Sequence, residues 1–150
     1  MRIIEKSIEV DVPVTTAYNQ WTQFETFPQF MEGVKEVQQL DDTHLHWVTE
    51  VGGKTKEYQA EITEQVPDQR IAWRSTEGAS NSGVVTFHHL APGRSRVSFQ
   101  LGYEPEGMME EAGDALGIMD NQVTSDLMRF KEFIEERGDE TGAWRGEVHR

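Results

Sequence analysis

Three polar-tipped side chains stand out for their chemical capacity: Tyr58, Tyr103 and His89. Each falls in step with apolar neighbours. Tyr58 alternates with Ala60 and Ile62, Tyr103 with Val97, Phe99 and Leu101, and His89 with Val85 and Phe87. A polar group held among apolar side chains must find a partner or shift its pKa, so these positions are where a guest molecule would be oriented or a proton moved. A tyrosine hydroxyl can donate to a carbonyl while its ring keeps the wall apolar. His89 is the one of the three that titrates near neutral pH. These are the catalytic candidates, and the residue types favour hydrogen-bonded positioning over proton transfer.

Other chemistries find less support. The chain has no cysteine, which removes disulfides, thiolate nucleophiles, thiolate zinc sites and iron–sulfur clusters together. His44 and His46 have a metal-ligand spacing, but they share a strand face opposite Leu45 and Trp47 and no third ligand follows at a useful distance. The expectation is no metal. No Ser–His–Asp set, phosphate-binding glycine loop or paired-carboxylate signature is present, and Gly52-Gly53 reads as a turn without the helix a dinucleotide site needs. No cofactor is expected.

There are 27 acidic and 14 basic residues, for a net charge of −13. Nucleic acid and anionic membrane surfaces are therefore disfavoured partners. The apolar runs fall far short of the roughly 20 residues that span a bilayer. Met1-Arg2-Ile3-Ile4-Glu5-Lys6 becomes charged too soon for a signal core. The expectation is a soluble cytoplasmic protein without stable membrane insertion.

The elements that must position the candidates follow from periodicity. Residues 2–10 read as a strand, and Pro13 fits the first turn of a helix. Ala17, Tyr18 and Trp21, then Phe24, Phe27, Phe30 and Met31, recur at helical spacing around Pro28, which predicts two short helices with a break near 22–25. Residues 34–40, 43–51, 54–66, 69–75, 82–90 and 94–104 read as strands between turn signals such as Asp41-Asp42, Pro67-Asp68 and Pro92-Gly93. Short connections predict an antiparallel meander. Leu116, Met119, Val123, Leu127, Phe130 and Ile134 lie three or four residues apart, the stripe of one long helix from Met108 to about Arg137, with Gly138 as its stop. Residues 139–150 lack periodicity and are expected to form a flexible tail beyond a domain at 1–138.

The predicted fold is α+β: a curved seven-stranded antiparallel sheet wrapped around a long C-terminal helix, with two short helices between strands 1 and 2. A twisted sheet cannot seat one straight helix along its whole surface, so space for a ligand is expected between them. Trp21, Phe27 and Met31 from the short helices would line it, with Trp47, Tyr58, Trp73, Val85, Phe87, Phe99 and Tyr103 from the strands and Met119, Val123 and Leu127 from the long helix. A solid core has the same pattern. Trp21, Phe24, Phe27, Phe30 and Met31 fit either core packing or a gate at the mouth.

The stretch from "VDVPVTTAYNQWTQFETFPQFMEGVKEVQQLD" through "RIAWRS" and "SGVVTFHHLAPGRSRVSFQLGYEPEG" to the long helix resembles the polyketide cyclase/dehydrase-like branch of the START-like, helix-grip (SRPBCC) superfamily. The resemblance covers about residues 2–137. It implies a deep apolar pocket for lipids, polyketides or other hydrophobic molecules, without fixing a reaction. Three functions stay open: a hydrophobic small-molecule binder, a cyclase or dehydrase working in the same cavity, and a protein-interaction module with a filled core. Free sheet edges permit a homodimer without requiring one.

Overall fold

The computed structural model describes residues 2–31, 33–51, 53–78, 81–103 and 114–148, with the side chains of residues 2, 51, 54, 78, 81, 103 and 114–119 outside the description. Strand β1 (Arg2–Val10) leads into helix α1 (Val14–Trp21) and a 3₁₀ helix (Phe24–Gln29). Six strands follow: β2 (Val34–Gln39), β3 (His44–Val51), β4 (Lys54–Val66), β5 (Arg70–Gly78), β6 (Asn81–Ala91) and β7 (Arg94–Tyr103). Helix α2 (Asp114–Arg137) comes last. The expected start of this helix at Met108 falls outside the described residues.

All seven strands form one antiparallel sheet in the order β1-β7-β6-β5-β4-β3-β2. Consecutive hairpins build β2 to β7, and β1 returns beside β7. Irregular registers at Val34/Glu36, Gln59/Ala60, Ile62/Glu64 and His89/Ala91 mark bulges, which bend and twist a sheet. Asp68 takes φ 63° in the β4–β5 turn, a left-handed conformation that Asp tolerates better than most residues.

The register stacks inward side chains into rows across the sheet. One runs Ile4, Leu101, Gly83, Trp73, Ile62. The next runs Lys6, Phe99, Val85, Ile71, Gln65. Gly83 is what lets Trp73 lie flat across its neighbour strand, because a Cβ there would stand 2.2 Å from Trp73 Cζ2.

α2 covers this face with Val123, Leu127, Phe130 and Ile134, all buried. Polar contacts stitch it to β1. Lys6 Nζ lies 2.8 Å from Asp120, the Asp11 N–H donates to Glu135 Oε2 at 2.7 Å, and Lys131 Nζ donates to the Glu9 carbonyl. Gly138, at φ 73°, ends the helix by donating its N–H to the Ile134 carbonyl, a left-handed C-cap.

The expectation of a flexible tail meets a different arrangement. Residues 139–148 fold back as a strap over α1. Gln20 Nε2 donates to the Thr141 hydroxyl, and the Thr141 N–H donates to Gln20 Oε1. Arg145 donates to Asn19 and to Asp68 and sits over the Tyr18 ring. Val148 is buried and exchanges backbone hydrogen bonds with Gln65. Irregular chain can be held this firmly because polar side chains of α1 satisfy its backbone, and such pairing leaves no periodic trace.

Candidate ligand-binding site

Rings from six elements meet in one unbroken series beneath α2. Tyr58 stacks on Trp47 with centroids 5.9 Å apart and planes at 6°. Trp47 meets Phe27 at 5.7 Å, Phe27 meets Trp21 at 5.1 Å, Trp21 meets Phe99 at 6.0 Å and Phe99 meets Trp73 at 5.8 Å. Trp21 is the hub, since its ring also touches Phe30 and Phe130. Local sequence explains the convergence. α1 and the 3₁₀ helix place Trp21 and Phe27 on one buried side, and alternation turns Trp47, Tyr58, Trp73 and Phe99 toward them.

Of the residues expected around a ligand, Trp21, Phe27, Trp47, Tyr58, Trp73 and Phe99 thus form this aromatic arc. Met31, Val123 and Leu127 are buried beside the core. Val85 is fully buried, and Phe87 packs edge-on against Tyr18 under α1, outside the series. The side chains of Tyr103 and Met119 lie outside the described residues. His89 is corrected: it is exposed. Its parity is inward, but it pairs with Ser95 next to the irregular register at His89/Ala91, and although Ser95 and Val10 in the same row are covered, the cover does not reach His89.

The face is closed at one end and looser at the other. Val10 and Ser95, near α1, are fully buried. Phe99, Leu101, Thr49, Ser75 and Lys56, toward the end where β1 begins, are half-buried. A separate groove of about 330 Å³ lies on the outer face, against Ile3, Ala72, Arg74, Val84 and Gln100.

Sequence reasoning missed the indole N–H groups. Nε1 of Trp21, Trp47 and Trp73 is buried with no hydrogen-bond partner among the described residues. A buried unmade donor costs about 1–3 kcal/mol, and Trp offers a donor only. The available signal was tryptophan at inward positions among largely apolar and aromatic neighbours. Resolved titration shifts lie elsewhere. Burial raises the Tyr18 phenol, partly countered by the Gln65 amide and Arg145. Burial also pushes the Glu135 carboxyl up, but the Lys131 ammonium and the Asp11 N–H outweigh it and its pKa falls. His44 and His46 face outward, toward Asp41 and Glu61 and toward Glu57. No group of three metal-ligating side chains occurs among the described residues, and no described helix is long and apolar enough to cross a membrane.

Residues 10–132 match the family model described as polyketide cyclase / dehydrase and lipid transport. The chain belongs to this polyketide cyclase/dehydrase family. A relative in Streptomyces lincolnensis, an uncharacterized 17.2 kDa protein of the melC2-rnhH intergenic region, is 57% identical over 149 residues, 99% of either chain. A solved protein of Deinococcus radiodurans is 29% identical with a TM-score of 0.71, over 91% of this chain and 99% of that one. The Zhui aromatase/cyclase of Streptomyces sp. R1128 superposes with a TM-score of 0.78 at 16% identity, covering 95% of this chain and 99% of its own. This polyketide cyclase/dehydrase family member therefore has the helix-grip fold: the curved sheet holds the C-terminal helix.

Proposed function

We propose that the chain binds a hydrophobic small molecule between the sheet and α2, against the aromatic arc. The observation that carries this reading is the six-ring series from Tyr58 to Trp73, half-buried at Phe99. A guest seated there exchanges water for ring faces at about 25 cal/mol per Å² of apolar surface. The family description, which joins cyclisation and dehydration with lipid transport, agrees with it. It also favours a second reading, a cyclase or dehydrase using the same space.

Native mass spectrometry of freshly purified protein, followed by organic extraction, tests both. A binder yields an adduct that extraction releases unchanged and that reloads stoichiometrically. An enzyme converts the reloaded compound. A bare chain that also fails to bind Nile red would sink both readings. In this reading the Tyr58 hydroxyl orients the guest, so Tyr58→Phe should weaken binding by about 0.5–1.5 kcal/mol, the net value of one hydrogen bond. Unchanged affinity in a calorimetric titration would mean selection by shape alone.

A further inference from the structure

Helix α1 has eight residues and no side-chain cap. A helix that short has little stability of its own, so its place is set by what packs on its two sides. Its apolar side lies along β6 and β7. Tyr18 meets Phe87 at 5.3 Å, and Trp21, three residues on, meets Phe99 at 6.0 Å. The register sets the direction. Phe87 pairs with Val97, and Phe99 lies two residues further along β7, toward the looser end. Tyr18 and Trp21 thus stand over successive rows, and Trp21 is the last α1 ring before the half-buried part of the face. It bounds that space from the packed side.

The other side of α1 is polar, yet Asn19 and Gln20 are buried. The strap supplies both the cover and the partners. Asn19 Nδ2 donates to Glu140 Oε1 at 2.9 Å, and Arg145 donates to Asn19 Oδ1 at 2.7 Å. The Gln20 amide exchanges two hydrogen bonds with Thr141, and the Trp144 N–H donates to Thr22 Oγ1 at 3.1 Å. At Gly142 the strap runs so close that a Cβ would stand 2.7 Å from Gln23 Oε1. Without the strap these amides would have to turn to water for partners, and α1 would shift with them. Trp21 Nε1 has no partner among the described residues, so no hydrogen bond of its own fixes the indole. Its height over the sheet follows α1, and α1 follows the strap.

We infer that Trp21 is the floor of the ligand site and that the strap, by clamping α1 from outside, sets how long a guest the site accepts. This rests on the binding reading above and narrows it: the guest is an extended apolar molecule whose inner end abuts an indole. Arg145 and Thr141 are positioning residues, because they act on the guest only through α1 and Trp21. A floor produces a break in a homologous series. Each methylene that meets the rings strengthens binding about fourfold, or about 0.8 kcal/mol, until the chain end reaches the indole. Further methylenes stay in water.

The test titrates n-alkanols from octanol to tetradecanol against Nile red on the full chain. Affinity should rise about fourfold per methylene and then stop rising. Trp21→Leu should carry the rise past that length, so that an alkanol two methylenes longer gains about tenfold or more over the parent. Should that variant fail to fold, Trp21→Phe removes less of the floor and should give a smaller shift in the same direction. Arg145→Gln combined with Thr141→Val loosens the clamp. It should favour the longest alkanols by about fourfold, the value of one methylene, and leave octanol unchanged. A strap that only stabilises the fold would move all lengths alike. A steady rise through the whole series in the parent would overturn the floor. An unmoved break in the folded Trp21 variant would overturn the assignment of Trp21, and an unchanged or uniformly shifted profile in the strap variant would overturn the role of the strap. Failure of Nile red and every alkanol to bind the parent would instead strike the binding reading itself.

Discussion

Trp73 and Gly83 form a single unit. The indole occupies the space a side chain at 83 would need, at 2.2 Å from a built Cβ. Gly83→Ala should therefore push Trp73 out of its place and cost about 1–3 kcal/mol, the usual penalty of overpacking. Urea denaturation measures it, and Trp73→Phe in the same background should recover part of the loss. A neutral Gly83→Ala would show that the indole moves at no cost. Parity made the inward direction of Trp73 legible in sequence, as it did for Trp47, Tyr58 and Phe99. The notch at Gly83 was not, because cross-strand contact depends on register. His89 failed for a related reason: alternation assigns a face but not whether anything covers it.

The strands and α2 were legible because each shows one clean period, and their observed bounds differ from the expected ones by at most three residues where both are described. The strap was not, since aperiodic polar residues hold it. Deleting residues 139–150 should remove the partners of Gln20, Asn19 and Thr22 and expose the place filled by Val148. A loss of about 1–3 kcal/mol is expected, with faster amide hydrogen exchange in α1. An unchanged midpoint together with a protected α1 would mean that the strap is passive. At the opposite seam, the native pKa of Glu135 lies below its ordinary value. Its contribution is present above the ordinary carboxylate range and lost as pH falls through the folded pKa. Glu135→Gln should thus lower stability at neutral pH and flatten the acid limb of the stability profile. The effect is small, because the side chain is 26% exposed and its Lys131 partner 38%. A variant whose profile superposes on the parent's would remove Glu135 from the seam.

At the scale of the whole molecule, charge is the dominant long-range term. The net charge is −13, and many of the ion pairs among the described residues are exposed, as with Arg94 and Glu9 at 56% and 45%. Exposed pairs contribute about 0–1 kcal/mol each, while like charges in excess repel one another throughout the compact state. The sign of the salt response decides which prevails. Raising sodium chloride from about 0.01 M to about 0.15 M shortens the screening length from about 30 Å to about 8 Å. Screening weakens both effects, but repulsion acts over the longer distances and should fade more. The midpoint of thermal unfolding should then rise by about 2–4 °C, the shift that about 1 kcal/mol produces in a chain of this size. Differential scanning calorimetry in a non-binding buffer measures it. A fall in the midpoint would mean that attractive pairs such as Lys6–Asp120 and Lys131–Glu135 outweigh the acidic excess.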